Sequence, residues 1–131
     1  MTARQASCSC GALTLTCEDD PVRVSICHCS ACQRRTGSAF GVQARFPRSS
    51  VTLHGEASTW LRVGDGGSRI VFRFCPNCGD TQSYSFEGND EWIIVPVGAF
   101  ADATFPAPTA SVYDDRQHPW LQIHGLVDRM A

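Results

Sequence analysis

Apolar and polar residues alternate in short runs along most of this chain, the period of half-buried β-strands rather than helices. Over residues 12–17, Leu13, Leu15 and Cys17 fall on one face. Over 22–26, Val22, Val24 and Ile26 do the same, and Asp19-Asp20-Pro21 supplies the turn between them. A third strand is expected over 40–46 and is stopped by Pro47. Strands over 51–54 and 58–63 are separated at Gly55, and Gly64-Asp65-Gly66-Gly67 reads as a hairpin loop into a strand over 69–74. The unbroken apolar run at 92–95 predicts a buried strand. One short helix is predicted, capped by Ser30, built from residues 31–36 and ended by Gly37. Residues 101–119 are rich in Pro and Ala and read as irregular, with a last strand expected over 120–123. The pattern predicts a mainly β protein of antiparallel sheets, with one short helix and a single domain over 1–131.

Composition narrows the classes. The 131 residues (14.3 kDa, 43% hydrophobic) suffice for one modest core. A net charge of −2 and a pI near 6.0 argue against a nucleic-acid footprint. No stretch approaches the ~18 apolar residues of a membrane span, and the N-terminal residues carry no signal-peptide pattern. A cytoplasmic protein without a nucleic-acid or membrane partner is expected. All eleven basic residues are Arg, which reads as codon bias, with planar donors reserved for carboxylates as the rival reading.

Cysteine changes the picture most. Seven of the eight cysteines fall into three clusters: Cys8-Ser9-Cys10, Cys27-His28-Cys29-Ser30-Ala31-Cys32, and Cys75-Pro76-Asn77-Cys78. In a reducing compartment such clusters read as metal ligands or redox centres rather than disulfides. Cys8, Cys10, Cys75 and Cys78 make up the four ligands of a closed structural zinc site, and each pair is followed by a glycine, Gly11 or Gly79, that permits a tight turn. A redox pair at Cys75 and Cys78 is the alternative, but no helix N-terminus is evident there to acidify a thiol. Cys27, Cys29 and Cys32 are one ligand short, which is the pattern of a site with an open position. Cys27 and Cys29 share a strand face, and a helix turn can bring in Cys32. His28 as a fourth ligand is the rival reading, although it points away from its neighbours in an extended segment. Cys17, alone, reads as a buried apolar thiol.

The ordered set Cys8-Ser9-Cys10-Gly11, the middle cluster, Thr36-Gly37-Ser38-Ala39-Phe40 and Phe74-Cys75-Pro76-Asn77-Cys78-Gly79 resembles the glutathione-dependent formaldehyde-activating enzyme family, to which centromere protein V is related. The resemblance runs from about Ser7 to Trp120. It implies a β-tent of antiparallel sheets around a structural zinc held by Cys8, Cys10, Cys75 and Cys78. It also implies a second, labile and catalytic zinc at Cys27, Cys29 and Cys32. The reaction it implies is addition of glutathione, or a similar small thiol, to formaldehyde or another small aldehyde, classed in reverse as a carbon–sulfur lyase. Family members often carry His where this chain has Ser111.

On that reading the three-thiolate site activates the thiol, since three sulfurs leave zinc a weak Lewis acid. Arg34 and Arg35, just past Cys32, are candidates to hold a glutathione carboxylate, and Thr36-Gly37-Ser38 to offer backbone N–H groups. His28, His118 and His124 are candidate proton carriers. Two rivals remain: a non-catalytic zinc module presenting Phe100, Phe105, Tyr113 and Trp120 to a partner or binding a thiol, and a redox sensor using Cys29 and Cys32.

Overall fold

The computed structural model describes residues 3–131. Among the described residues, eleven strands form two sheets, accompanied by one α-helix. β1 (Arg4–Ser7), β2 (Thr14–Cys17) and β5 (Val51–His54) form a small antiparallel sheet in the order β1-β2-β5. The larger sheet is built from β3 (Arg23–Cys27), β4 (Gly41–Pro47), β6 (Ser58–Val63), β7 (Arg69–Phe74), β8 (Thr81–Phe86), β9 (Trp92–Pro96), β10 (Ala110–Val112) and β11 (Asp128–Met130). Its order is β11-β10-β3-β4-β9-β8-β7-β6. All pairings are antiparallel except those of β10, which runs parallel to β3 and β11.

The alternation read from the sequence places the core. Leu15 and Cys17 from the small sheet meet Val24, Ala44, Phe46, Ile93 and Val95 from the large one. Phe100 and Phe105 close this core, their rings stacked 4.7 Å apart. They are therefore structural residues and not an exposed interface, because the Pro-rich segment folds back over the apolar layer instead of lying on the surface. Trp120, by contrast, is 70% exposed. Gln82, buried inside the sheet, ties the two layers: its amide nitrogen donates to the carbonyls of Thr14 (2.9 Å) and His54 (3.3 Å).

The structure differs from the pattern reading at the termini and in polar segments. β1 and β8 are strands with few apolar positions, formed because neighbouring strands supply the ladder. β10 lies inside the stretch expected to be irregular. The strand expected over 120–123 is instead a turn, with Leu121 N–H bonded to the His118 carbonyl, and the last strand is β11. Pro119, which cannot donate to a ladder, precedes this turn. Val22 lies exposed ahead of β3, whereas Val24 and Ile26 are buried as their period requires. α1 (Ser30–Thr36) is capped by the Cys29 sulfur rather than by Ser30: Cys29 is the extended residue, and its Sγ accepts the Cys32 N–H at 3.3 Å. Gly37, at φ 69°, ends the helix in the left-handed conformation.

Candidate metal centres and the adjoining cavity

Two loops bring the first and third cysteine clusters together. Cys8 and Cys10 follow β1, and Cys75 and Cys78 lie in the turn between β7 and β8. Their four sulfurs lie within 4.8 Å of one another. Sulfurs at the corners of a tetrahedral zinc site, each about 2.3 Å from the ion, stand about 3.8 Å apart. Here Cys8 and Cys10 are separated by 3.7 Å, and Cys10 and Cys75 by 3.6 Å. Backbone N–H groups point at the sulfurs, Leu13 at Cys8 (3.2 Å) and Cys78 at Cys75 (3.5 Å). Such donors favour thiolate, and the Leu13 N–H is the main reason the Cys8 pKa falls below its usual value. Asp80 locks the two loops together, accepting from both the Ser9 backbone N–H (2.7 Å) and the Ser9 hydroxyl. These bonds hold its own pKa below the usual carboxylate range. Spacing, donor type and supporting hydrogen bonds all fit a four-sulfur zinc site.

The middle cluster gathers at a strand–helix junction. Cys27 ends β3, Cys29 caps α1 and Cys32 lies in its first turn. Their sulfurs also lie within 4.8 Å of one another, and all three residues are buried. The neighbouring sulfurs act on each other: Cys27, ahead of Cys29, draws the Cys32 pKa down to about 5, while Cys32 and burial push the Cys27 pKa up. Arg35 adds to the stabilisation of the Cys32 thiolate. Three soft donors with a negative charge among them fit a zinc ion.

His28 lies outside this trio. It is fully buried, its backbone N–H bonds the Val112 carbonyl (3.1 Å), and its ring sits edge-on to Phe40 at 6.4 Å. Desolvation lowers its pKa. His118 is fastened to the helix through Gln33, whose side chain lies 2.9 Å from His118 Nε2 and donates to the His28 carbonyl. His124 is exposed on the C-terminal segment. Ser111 is fully buried, and its hydroxyl donates to Asp114 Oδ1 at 2.7 Å. The Thr36-Gly37-Ser38 donors are spent on the helix end: Thr36 Oγ1 donates to the Cys32 carbonyl and accepts from Ser38 N–H.

The sulfur trio opens onto a cavity of about 650 Å³. Arg34 borders it, as the sequence suggested, but four other arginines do as well: Arg23, Arg45, Arg62 and Arg116. Asp65 is the one acidic lining residue, and it stands 3.7 Å from Arg116. Arg35 turns the other way. Its guanidinium lies over the rings of Tyr84 (5.4 Å) and Phe72 (5.6 Å). The sequence pattern does not reveal the four added arginines, because a lone Arg on a strand ordinarily reads as a solvated face. The available signal was the alternation Arg23, Ser25, Cys27, which sets two polar positions on the same face as a cluster sulfur.

A mainly β protein with two thiolate clusters suited to zinc, one of them open to a cationic cavity, is the class this fold and site define. The glutathione-dependent formaldehyde-activating enzyme pattern matches residues 3–116, and the chain belongs to that family. A crystal structure of a Rhodobacter sphaeroides protein shares the fold, with a TM-score of 0.54 at 22% identity over 72% of this chain and 85% of the other.

Proposed function

We propose that this protein adds a small thiol, glutathione in the reaction for which the family is named, to formaldehyde or another small aldehyde. The sulfur–carbon bond forms, the carbonyl π bond breaks, and the thiol proton ends on the new hydroxyl. One thiol and one formaldehyde thus become one S-hydroxymethyl thioether, with no other reactant and nothing released. The observation that carries this reading is the opening of the three-sulfur cluster onto the arginine-rich cavity.

Cys27, Cys29 and Cys32 would hold a labile catalytic zinc, and Cys8, Cys10, Cys75 and Cys78 a structural one. When bound at the open site, zinc supplies the positive charge that keeps a thiol ionised at neutral pH. The chain's own residues do the rest. The cavity arginines, Arg34 among them, attract an anionic thiol and hold it with its sulfur toward the trio. Arg35 adds a positive charge behind Cys32 that favours its thiolate, the form that binds metal. The unpaired thiols of both clusters fit the reducing cytoplasm. Among the described residues no helix is long and apolar enough to cross a membrane.

Exchange between ¹³C-formaldehyde and its glutathione adduct, followed by NMR, tests the proposal. The zinc-loaded protein should accelerate exchange above the spontaneous rate, and Cys29→Ala should return it to background. Exchange at the spontaneous rate with fully loaded wild-type protein would sink the enzymatic reading and leave a zinc-binding module.

A further inference from the structure

The floor of the cavity is graded along two paired strands. On β3, Cys27, Ser25 and Arg23 alternate on one face and all border the cavity. Their antiparallel partners on β4 are Gly41, Gln43 and Arg45. The floor therefore runs in three rungs: a sulfur opposite a glycine, a hydroxyl opposite an amide, and a guanidinium opposite a guanidinium. Arg23 is four residues from Cys27, about 13 Å along an extended strand.

Each rung has its own chemistry. At the first, Gly41 leaves the space beside the trio clear: a Cβ there would stand 3.3 Å from Cys32 Cβ and 3.6 Å from its sulfur. At the second, the Tyr84 hydroxyl donates to Gln43 Oε1 at 2.8 Å. This fixes the amide and leaves its nitrogen as the free donor. At the third, two like charges stand directly opposite each other, which is destabilising in a sheet. Neither Arg23 nor Arg45 has a carboxylate within ion-pair distance among the described residues. Arg45 is held instead with its guanidinium 5.6 Å over the Trp92 ring. Two arginines that stand opposite each other, line one cavity and have no acidic partner among the described residues suit a carboxylate.

We propose that Arg23 and Arg45 are specificity-determining residues that read a carboxylate at the far end of the thiol substrate. The inference rests on the thiol-binding reading above and assigns the residues that recognise the substrate's anionic end. A short uncharged thiol such as 2-mercaptoethanol would reach only the first rung. A thiol with a carboxylate beyond an amide reaches all three.

Calorimetric titration of the zinc-loaded full chain provides the test. The probes are glutathione, its dimethyl ester, and the sulfur-free analogue γ-glutamyl-2-aminobutyryl-glycine. Esterification should weaken binding to wild type by about tenfold or more, and the Arg23→Gln/Arg45→Gln variant should bind glutathione weaker by a similar factor while discriminating against the ester by less than about twofold. The sulfur-free analogue should show the same loss on mutation, since its carboxylates are unchanged. If the double variant loses zinc, the single variants Arg23→Gln and Arg45→Gln carry the test. Unchanged glutathione affinity in the variants, or an undiminished ester penalty, overturns the proposal while leaving thiol addition intact. A carboxylate preference that depends on Arg23 and Arg45, in a protein that does not accelerate formaldehyde exchange, sustains this inference and sinks the enzymatic one.

Discussion

Gly41 and Ser111 show how single residues set the state of the open cluster and its surroundings. Gly41 has ordinary backbone geometry, so the absence of a side chain is its contribution: a methyl group would press on both Cys32 and Arg35 Nη2, each at 3.3 Å. Gly41→Ala should therefore weaken the three-sulfur site by about tenfold in a chelator competition while leaving the four-sulfur site unchanged, the scale of effect known for supporting residues at metal sites. Ser111 works through Asp114, whose carboxylate also accepts from Arg129 Nη1 at 3.2 Å. The Ser111 hydroxyl is the main reason the Asp114 pKa lies below the usual carboxylate range. A depressed carboxylate pKa adds stability that is complete above the unfolded value near 4 and is lost only as pH falls through the lower folded value. Ser111→Ala should thus cost about 1.5 kcal/mol in urea denaturation, the lower end for a hydrogen bond to a charge, and the cost should be equal at pH 7 and pH 5. A penalty that shrinks between those pH values would show that another titrating group takes part.

At the scale of elements, two junctions position the chemistry. The first is β3 into α1. An extended strand places Cys27 on the cavity face, Cys29 turns the chain as the helix cap, and one helical turn returns Cys32 to the same point. The cap satisfies a helix N–H and orients a cluster sulfur at once. The second junction is the crossing of the loop after β1 with the turn between β7 and β8. Asp80 locks it, holding Ser9 between the two cysteines of the other loop. Asp80→Ala should lower zinc affinity at the four-sulfur site by about 10- to 100-fold, read by competition with a chromophoric chelator, without altering the three-sulfur site. Equal weakening of both sites would mean that Asp80 supports the fold as a whole.

At the scale of the molecule, the small sheet is held to the large one by a shared apolar core, by Gln82 and by the four-cysteine junction. Structural zinc contributes on the order of 10 kcal/mol in small zinc-finger peptides. Complete chelation should therefore collapse the near-UV circular dichroism of the whole chain, whereas Cys29→Ala should retain it and lose zinc from the open site alone. A native-like spectrum after full metal removal would show that the core suffices without the junction. The whole-molecule charge of −2 conceals the cationic cavity, because Arg23, Arg34, Arg45, Arg62 and Arg116 converge there while most acidic residues lie elsewhere.

The cysteine clusters suited to a metal were legible in the chain because each is local: C-x-C, C-x-x-C and a strand–helix turn bring sulfurs together within a few residues, whatever lies beyond. The main strands were legible for the same reason, since a period of two is a property of neighbours. Where β10 and β11 would pair, and which arginines would line the cavity beside the cysteine trio, were decided only when strands far apart in sequence took their register. Arg23 and Arg45 are twenty-two positions apart and become one feature through a single rung of the β3–β4 ladder. Ligand spacing is a covalent fact, whereas convergence of side chains on a cavity depends on the long-range pairing that buries Val24, Ala44 and Val95 beneath it.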